Sequence, residues 1–290
     1  MTGGTKESRI VLITGCSDGG MGAALAEALH KAGLTVYATA RDPAKMKSLS
    51  SLEIVTLQLD VESETSIAAC VKQVPELDIL INNAGQNFLM PVADISIAEA
   101  KKIYDINVWA HIAVTQAFLP LLLKSKGPGM IVNQTSIGGV STIPFRAVYH
   151  SAKAAFIMIS DTMRLELQPF GIKVIDLRTG LIKTNLIGNI QQTKRTELPK
   201  GSIFEPARDL VERELTQKDH EEEGTDPSEW AQSVVGELLK PNPSPVIWKG
   251  EKALLSRIAA VAPFGTFDGF VRKLSGFDKV EQRLREQETG

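Results

Sequence analysis

Ile10-Val-Leu-Ile-Thr-Gly15-Cys-Ser-Asp-Gly-Gly20-Met-Gly-Ala-Ala-Leu25 decides how the rest of this chain reads. An apolar, β-branched run ends in a glycine-rich turn and passes directly into a helical pattern, Met21 to Ala32, which Gly33 stops. Glycines at such a junction let the backbone turn tightly and approach a pyrophosphate, while free amides and the helix dipole receive its charge. The residues placed to do this are Gly15, Ser17, Gly20, Met21 and Gly22, with Gly19 or Gly20 in the middle glycine's role. The same letters, Gly15-Cys16-Ser17-Asp18-Gly19, also satisfy the GxSxG of a nucleophile elbow and make Ser17 a rival hydrolase nucleophile. An elbow needs several strands and an oxyanion loop ahead of it, yet one strand fits before residue 15 and only His220 lies late enough to serve as base.

Five more runs of strand type follow: Leu34–Thr39, Ile54–Leu59, Leu77–Asn82, Met130–Asn133 and Ile172–Asp176. Helical patterns separate them, one opened by the capping box Ser96-Ile-Ala-Glu99. Strand and helix alternating in this way predict right-handed crossovers and a doubly wound parallel sheet covered on both faces, an α/β fold of Rossmann type in one domain over residues 1–290. Ligands of such sheets bind beyond the carboxyl ends of the strands. Between residues 184 and 228 mixed charges, including His220-Glu-Glu-Glu223, interrupt the pattern and read as a substrate lid with a solvated face. Asp226-Pro-Ser-Glu229 then opens a helix, Val246-Ile-Trp248 is a short strand, and residues 251–290 form an apolar, interrupted extension.

Composition is that of a globular protein, with 43% hydrophobic and 23% charged residues. A formal net charge of -2 gives no global field for nucleic acid. Two cysteines without a CxxC pair, and four histidines without helical ligand spacing, predict no disulfide framework and no metal site. The polar N-terminus has no secretory pattern, which makes a reducing, cytoplasmic location the expectation.

Arg41 follows the second strand where an acidic residue would bind the 2'-hydroxyl of NAD, and a cation there suits the 2'-phosphate of NADP. Tyr149-His-Ser-Ala-Lys153 places a phenol and an ammonium one helical turn apart, a pairing that favours the phenolate. Ser136, thirteen residues before Tyr149 and just after a strand, brings a hydroxyl to the same crevice.

Taken with Asn82-Asn-Ala-Gly85 and with Asn107 in Tyr104-Asp-Ile-Asn-Val108, these motifs make the chain resemble the short-chain dehydrogenases/reductases from Arg9 to Thr184. The resemblance implies an NADPH-dependent oxidoreductase acting on a carbonyl or alcohol, with Tyr149 as general acid and Ser136 hydrogen-bonded to the same oxygen. It gives Lys153 the nicotinamide ribose and the Tyr149 pKa, and Asn107 a water in the proton relay. Asp60 and Val61 match the adenine-binding pair, Asn83, Ala84 and Gly85 the cofactor-facing part of the NNAG motif, and Gly180 and Thr184 the loop around the carboxamide. Two features depart from the family pattern. The glycine turn is one residue longer, and Thr179-Gly180 replaces Pro-Gly, which would loosen the loop beneath the nicotinamide.

Within the family the chain is most similar to NADPH-dependent 1-acyldihydroxyacetone-phosphate reductases and to 17β-hydroxysteroid dehydrogenase relatives. That likeness implies a lipid-like, steroid-like or polyketide-like substrate in a greasy pocket walled by Phe88, Leu89, Met90, Ile143, Pro144, Phe145 and Leu186. Arg146 is expected to meet an anionic group on the substrate or to lie at the surface. The Ala253–Phe270 tail could rest on a lipid surface, that of the endoplasmic reticulum or a lipid droplet, or pack on its own domain. A homodimer through the helices bearing Asn107 and Tyr149 is implied. The alternatives are a catalytically silent NADP-binding regulator and, on the GxSxG pattern, a serine hydrolase.

Overall fold

The computed structural model describes residues 8–184, 196–218 and 223–288. Seven strands form one sheet: β1 (Ile10–Thr14), β2 (Thr35–Ala40), β3 (Val55–Gln58), β4 (Ile79–Asn82), β5 (Met130–Gln134), β6 (Lys173–Thr179) and β7 (Val246–Lys249). Their order is β3-β2-β1-β4-β5-β6-β7 and every neighbouring pair is parallel. The expected doubly wound sheet is therefore present, with its order reversing between β1 and β4, where such sheets open a ligand crevice.

Alternation along each strand feeds two cores. Val11, Ile13, Ile79, Ile81, Met130 and Val132 face one side, and pack with Leu25 and Leu29 of α1 (Met21–Lys31) and with Trp230 and Val234. Leu12, Leu80 and Ile131 face the other, against Ile67 and Cys70 of α2 (Glu64–Val71) and Val114 and Phe118 of α4 (Ala110–Leu122). Ser96 caps α3 (Ile97–Tyr104) as the capping box predicts, its Oγ accepting from Glu99 N at 3.4 Å.

A third apolar cluster lies off the sheet. Phe145 and Val148, at the start of α5 (Ala147–Leu167), pack against Val211 and Leu215 of α6 (Arg208–Thr216). The 184–228 insertion thus carries a helix folded onto the domain, although residues 185–195 and 219–222 lie outside the described residues. Asp226 caps α7 (Pro227–Leu238) as predicted. The extension forms α8 (Ala253–Ala259), α9 (Asp268–Leu274) and α10 (Phe277–Glu288), and Val280 of α10 joins the third cluster. Cys16 and Cys70 are free and buried, and burial pushes their thiols up to about 12 and about 11. Among the described residues no helix is long and apolar enough to cross a membrane, and no group of three His, Cys, Asp or Glu could hold a metal ion.

Candidate active site

Thr14 ends β1 and Asn83 follows β4, so the glycine turn and the NNAG segment meet at the point where the strand order reverses. Thr14 Oγ1 accepts from the backbone N of Asn83 and of Ala84, both at 2.9 Å, while Asn83 Nδ2 donates to Thr14 O at 2.7 Å and Gly15 O at 3.1 Å. The segments lie so close that a Cβ on Gly15 would stand 2.8 Å from Ala84 Cα, and one on Gly22 would stand 2.5 Å from Gly15 O. Gly19 takes left-handed backbone (φ 76°), and Gly20 is the N-cap of α1. No side chain caps this helix and its first turn holds no acid, so the amides are open to an anion.

A cleft of about 1100 Å³ runs from this turn past Arg41 and Val61 to Asn83, Ala84, Gly85 and Thr184, a size suited to a dinucleotide. Asp42 also lines it, but its carboxylate accepts from Ala44 N at 3.0 Å and is committed to capping a turn. Asp60, the expected partner of Val61, is not among the lining residues, and its Oδ1 accepts from Glu62 N at 3.1 Å. Among the described residues no histidine lines this cleft with Ser17.

The second cavity, about 240 Å³, adjoins the first and shares Met21, Asn83, Gly85, Gln86, Asn87, Leu89 and Thr184 with it. Ser136, Tyr149, Lys153 and Gly180 line this one. Ser136 leaves the end of β5, its Oγ accepts from Gly138 N at 3.0 Å, and it lines the same cavity as the Tyr149 phenol. Burial raises the Tyr149 pKa, and the Ser136 hydrogen bond and the Arg146 charge oppose that rise. Lys153 Nζ donates to Gln134 O at 2.9 Å, and burial lowers its pKa to about 8 against the attraction of Asp176. Asn107 sits on a π-helical turn, Asp105–Trp109, between α3 and α4. Its amide clamps Gln86, accepting from Gln86 N and donating to Gln86 O, each at 2.8 Å. Such bulges recur at functional sites because they re-aim a side chain within a helix.

The family described as short chain dehydrogenase matches residues 9–195, the span that builds both cavities up to the insertion. This chain belongs to that family. The short-chain dehydrogenase/reductase of Pestalotiopsis microspora is 50% identical over 277 residues, covering 96% of this chain and 97% of its own. An NADPH-dependent 1-acyldihydroxyacetone phosphate reductase of Schizosaccharomyces pombe is 34% identical over 283 residues, with 92% and 94% covered. A solved short-chain dehydrogenase of Streptomyces avermitilis superposes with a TM-score of 0.74 at 25% identity, covering 96% of this chain and 99% of that one.

As a short-chain dehydrogenase the protein is an oxidoreductase that binds a nicotinamide cofactor and a small-molecule substrate. Of the greasy wall expected from sequence, Leu89, Ile143, Pro144 and Phe145 line the substrate-side cavity. Phe88 lines only the dinucleotide cleft, Met90 is buried in the third core cluster, and Leu186 lies outside the described residues. Thr179 loosens nothing: β6 runs on through it, paired with Lys249, and Gln134 Nε2 donates to its hydroxyl at 2.6 Å. Of the acidic run read as a solvated face, Glu223 keeps 37% of its side chain exposed and borders the cavity, its carboxylate 2.9 Å from Lys252 Nζ; His220 lies outside the described residues. Sequence reading passed over Gln134, Glu214 and Gln217. Their partners are distant in sequence, and no spacing rule marks them.

Proposed function

We propose that the chain reduces a ketone or aldehyde with NADPH, on a hydrophobic lipid-like, steroid-like or polyketide-like substrate, with Tyr149 as general acid. The observation that carries this is the convergence of Ser136, Tyr149 and Lys153 on one small cavity that opens into a cleft of dinucleotide size. The bound nicotinamide supplies the hydride. The open amides at the start of α1 and the glycines Gly15, Gly20 and Gly22 suit its pyrophosphate, Val61 its adenine side, with Asp60 behind it holding the turn, and Gly180 and Thr184 its carboxamide side. Arg41 in the cleft lining, a cation that can pair with phosphate, favours the 2'-phosphate of NADP. The NADPH dependence of the 34% identical relative agrees.

Tyr149 would deliver its proton to the carbonyl oxygen as negative charge develops there, while Ser136 donates a hydrogen bond to the same oxygen. Lys153, held at Gln134 O, lies on the same helical face as Tyr149 and can bind the ribose and refill the phenol's proton. Asn107 fixes the Gln86 backbone at the cavity mouth and with it the path for a relay water. The apolar walls select a substrate with a hydrophobic body.

We read residues 1–290 as one catalytic unit in which the 184–228 insertion and the 251–290 extension enclose the substrate side. The packing of Val211, Leu215 and Val280 on Phe145 supports this. Exposed Met158 and Leu165 on α5 give a second copy a surface to cover, and exposed Leu254, Ile258, Val261 and Phe264 give the extension one for a lipid surface.

The test is a fluorescence titration with NADPH and NADH, followed by a panel of lipid, steroid and aromatic ketones, on the wild type and on Tyr149→Phe. Tight NADPH binding, turnover in the wild type and a loss of about 10²–10⁴-fold in the variant are expected. Binding without turnover across the panel would favour the silent regulator.

A further inference from the structure

Four residues other than glycine hold left-handed backbone among the described residues: Glu53 (φ 61°), Phe145 (68°), Gln217 (53°) and Lys252 (63°). Such backbone is disfavoured for side chains with a Cβ and persists where the surroundings impose it, which is often at functional sites. Phe145, Gln217 and Lys252 all line the substrate-side cavity. Three of the four strained positions therefore border one cavity, and Arg146 directly follows one of them.

Phe145 is buried, with its ring centroid 5.9 Å from that of Phe204 and 5.6 Å from that of Phe277, and so fixes where the chain stands as it reaches Arg146. Arg146 precedes α5 and stands three residues before Tyr149. Gln217 follows α6 and is buried at 5% exposure, between Asn87 and the guanidinium. With its amide oxygen toward Arg146, the orientation that the surrounding donors require, it accepts from Nη1 at 3.3 Å and from Nη2 more closely. Glu214 and Glu223 attract the same guanidinium, and Lys252 pairs with Glu223. Arg146, Lys153 and Lys252 thus share the cavity lining with the carboxylates of Glu214 and Glu223.

We propose that Arg146 is a positioning residue for the reductase reaction: clasped by Gln217, it holds a positive charge on the small cavity that Tyr149 lines and ties α6 to the cavity wall. This rests on the reading of Tyr149 as proton donor. The charged and titratable groups lining the cavity with the phenol are Lys153 and His150 from its own helix, Arg146 before it, Glu214 after α6's midpoint, and Glu223 and Lys252 from the turns opposite. Burial and the Arg146 charge lower His150 to about 4, so it is neutral near pH 7 and adds no charge. Arg146 is the cation that opposes the burial of Tyr149.

The experiment measures the pH dependence of alcohol oxidation with NADP+, where Tyr149 must first lose its proton. It compares the wild type, Arg146→Met, Arg146→Lys, Gln217→Leu and Tyr149→Phe. A phenol absorbance titration of the three tyrosines, differenced against Tyr149→Phe, reads the same group without turnover. Arg146→Met is expected to shift the acidic limb and the phenol titration upward by about 0.5–1 pH unit, and Arg146→Lys to restore both. Gln217→Leu should raise KM several-fold more than it lowers kcat. Should Arg146→Met fail to bind NADP+, Arg146→Gln, which keeps hydrogen-bonding groups without the charge, carries the comparison. Lost activity with both pH curves superimposed on the wild type would overturn the inference and leave the reductase reading standing. Wild-type turnover by Tyr149→Phe would instead overturn the reductase reading.

Discussion

Arg41 stands just past β2 and lines the large cleft beside Asp42, whose Oδ1 accepts from Ala44 N at 3.0 Å. A phosphate-bound guanidinium contributes about 1.5–3 kcal/mol. Arg41→Ala is therefore expected to weaken NADPH binding by about 10–100-fold and NADH binding by less than about 3-fold, as read by fluorescence titration. Thr179 shows at the same scale how a departure from the family pattern is absorbed. Its hydroxyl takes a hydrogen bond from Gln134, whose backbone carbonyl holds Lys153, so the Thr-for-Pro change becomes part of the site's support. Arg41, Ser136, Tyr149 and Lys153 were legible in the sequence because each follows a strand or lies at helical spacing. Gln134 was not, because its partners come from β6 and α5.

At the scale of elements, the βα turn is built by close approach more than by side chains. A methyl group on Gly22 would meet Gly15 O at 2.5 Å and Asn83 Nδ2 at 2.6 Å, so turn and NNAG segment would have to part. Gly22→Ala should lower unfolding free energy by about 1–3 kcal/mol in urea and weaken NADPH binding with it. Helix α7 offers the contrasting case. Asp226 Oδ1 accepts from Ser228 N at 2.8 Å and Glu229 N at 3.1 Å, and the helix packs on the sheet face with α1 through buried Trp230. Asp226→Ala is expected to cost about 1 kcal/mol of stability with kcat unchanged, since a lost cap frays one end of a helix outside both cavities. The π-turn at Asn107 had no sequence signal, because the bulge follows from how α3 and α4 are fitted around Gln86.

Across the whole molecule, two histidines couple the fold to acid. His111 is buried, stacked on Phe156 at 4.4 Å, with neither nitrogen hydrogen-bonded, and burial holds its pKa well below the ordinary value. Burial likewise lowers His150 to about 4. In the unfolded chain both take up a proton below about 6.5. Their folded values are depressed, so the associated stability is present in full above that pH and is lost as pH falls toward the folded values. The urea midpoint should drop between about pH 7 and pH 5, and His111→Phe should flatten that drop. The extension is the other whole-molecule feature: Val261 is 86% exposed and Phe264 fully so, between α8 and α9, which bear Arg257, Arg272 and Lys273. Co-sedimentation with anionic lipid vesicles is expected for the full chain and not for the double variant Val261→Asp, Phe264→Asp.

The sequence by itself determined the parallel sheet, the order of its crossovers and the cofactor-side and tetrad motifs. These depend on local periodicity and on groups placed immediately after strands, where the fold's geometry is repetitive. Tertiary structure alone decided the substrate side. Which residue clasps Arg146, where Glu223 lies relative to the cavity, and which apolar residues reach it depend on how the insertion and extension dock against Phe145. That docking joins residues more than a hundred positions apart, through apolar packing and the hydrogen bond from Ser202 to Asp94, which no short spacing encodes.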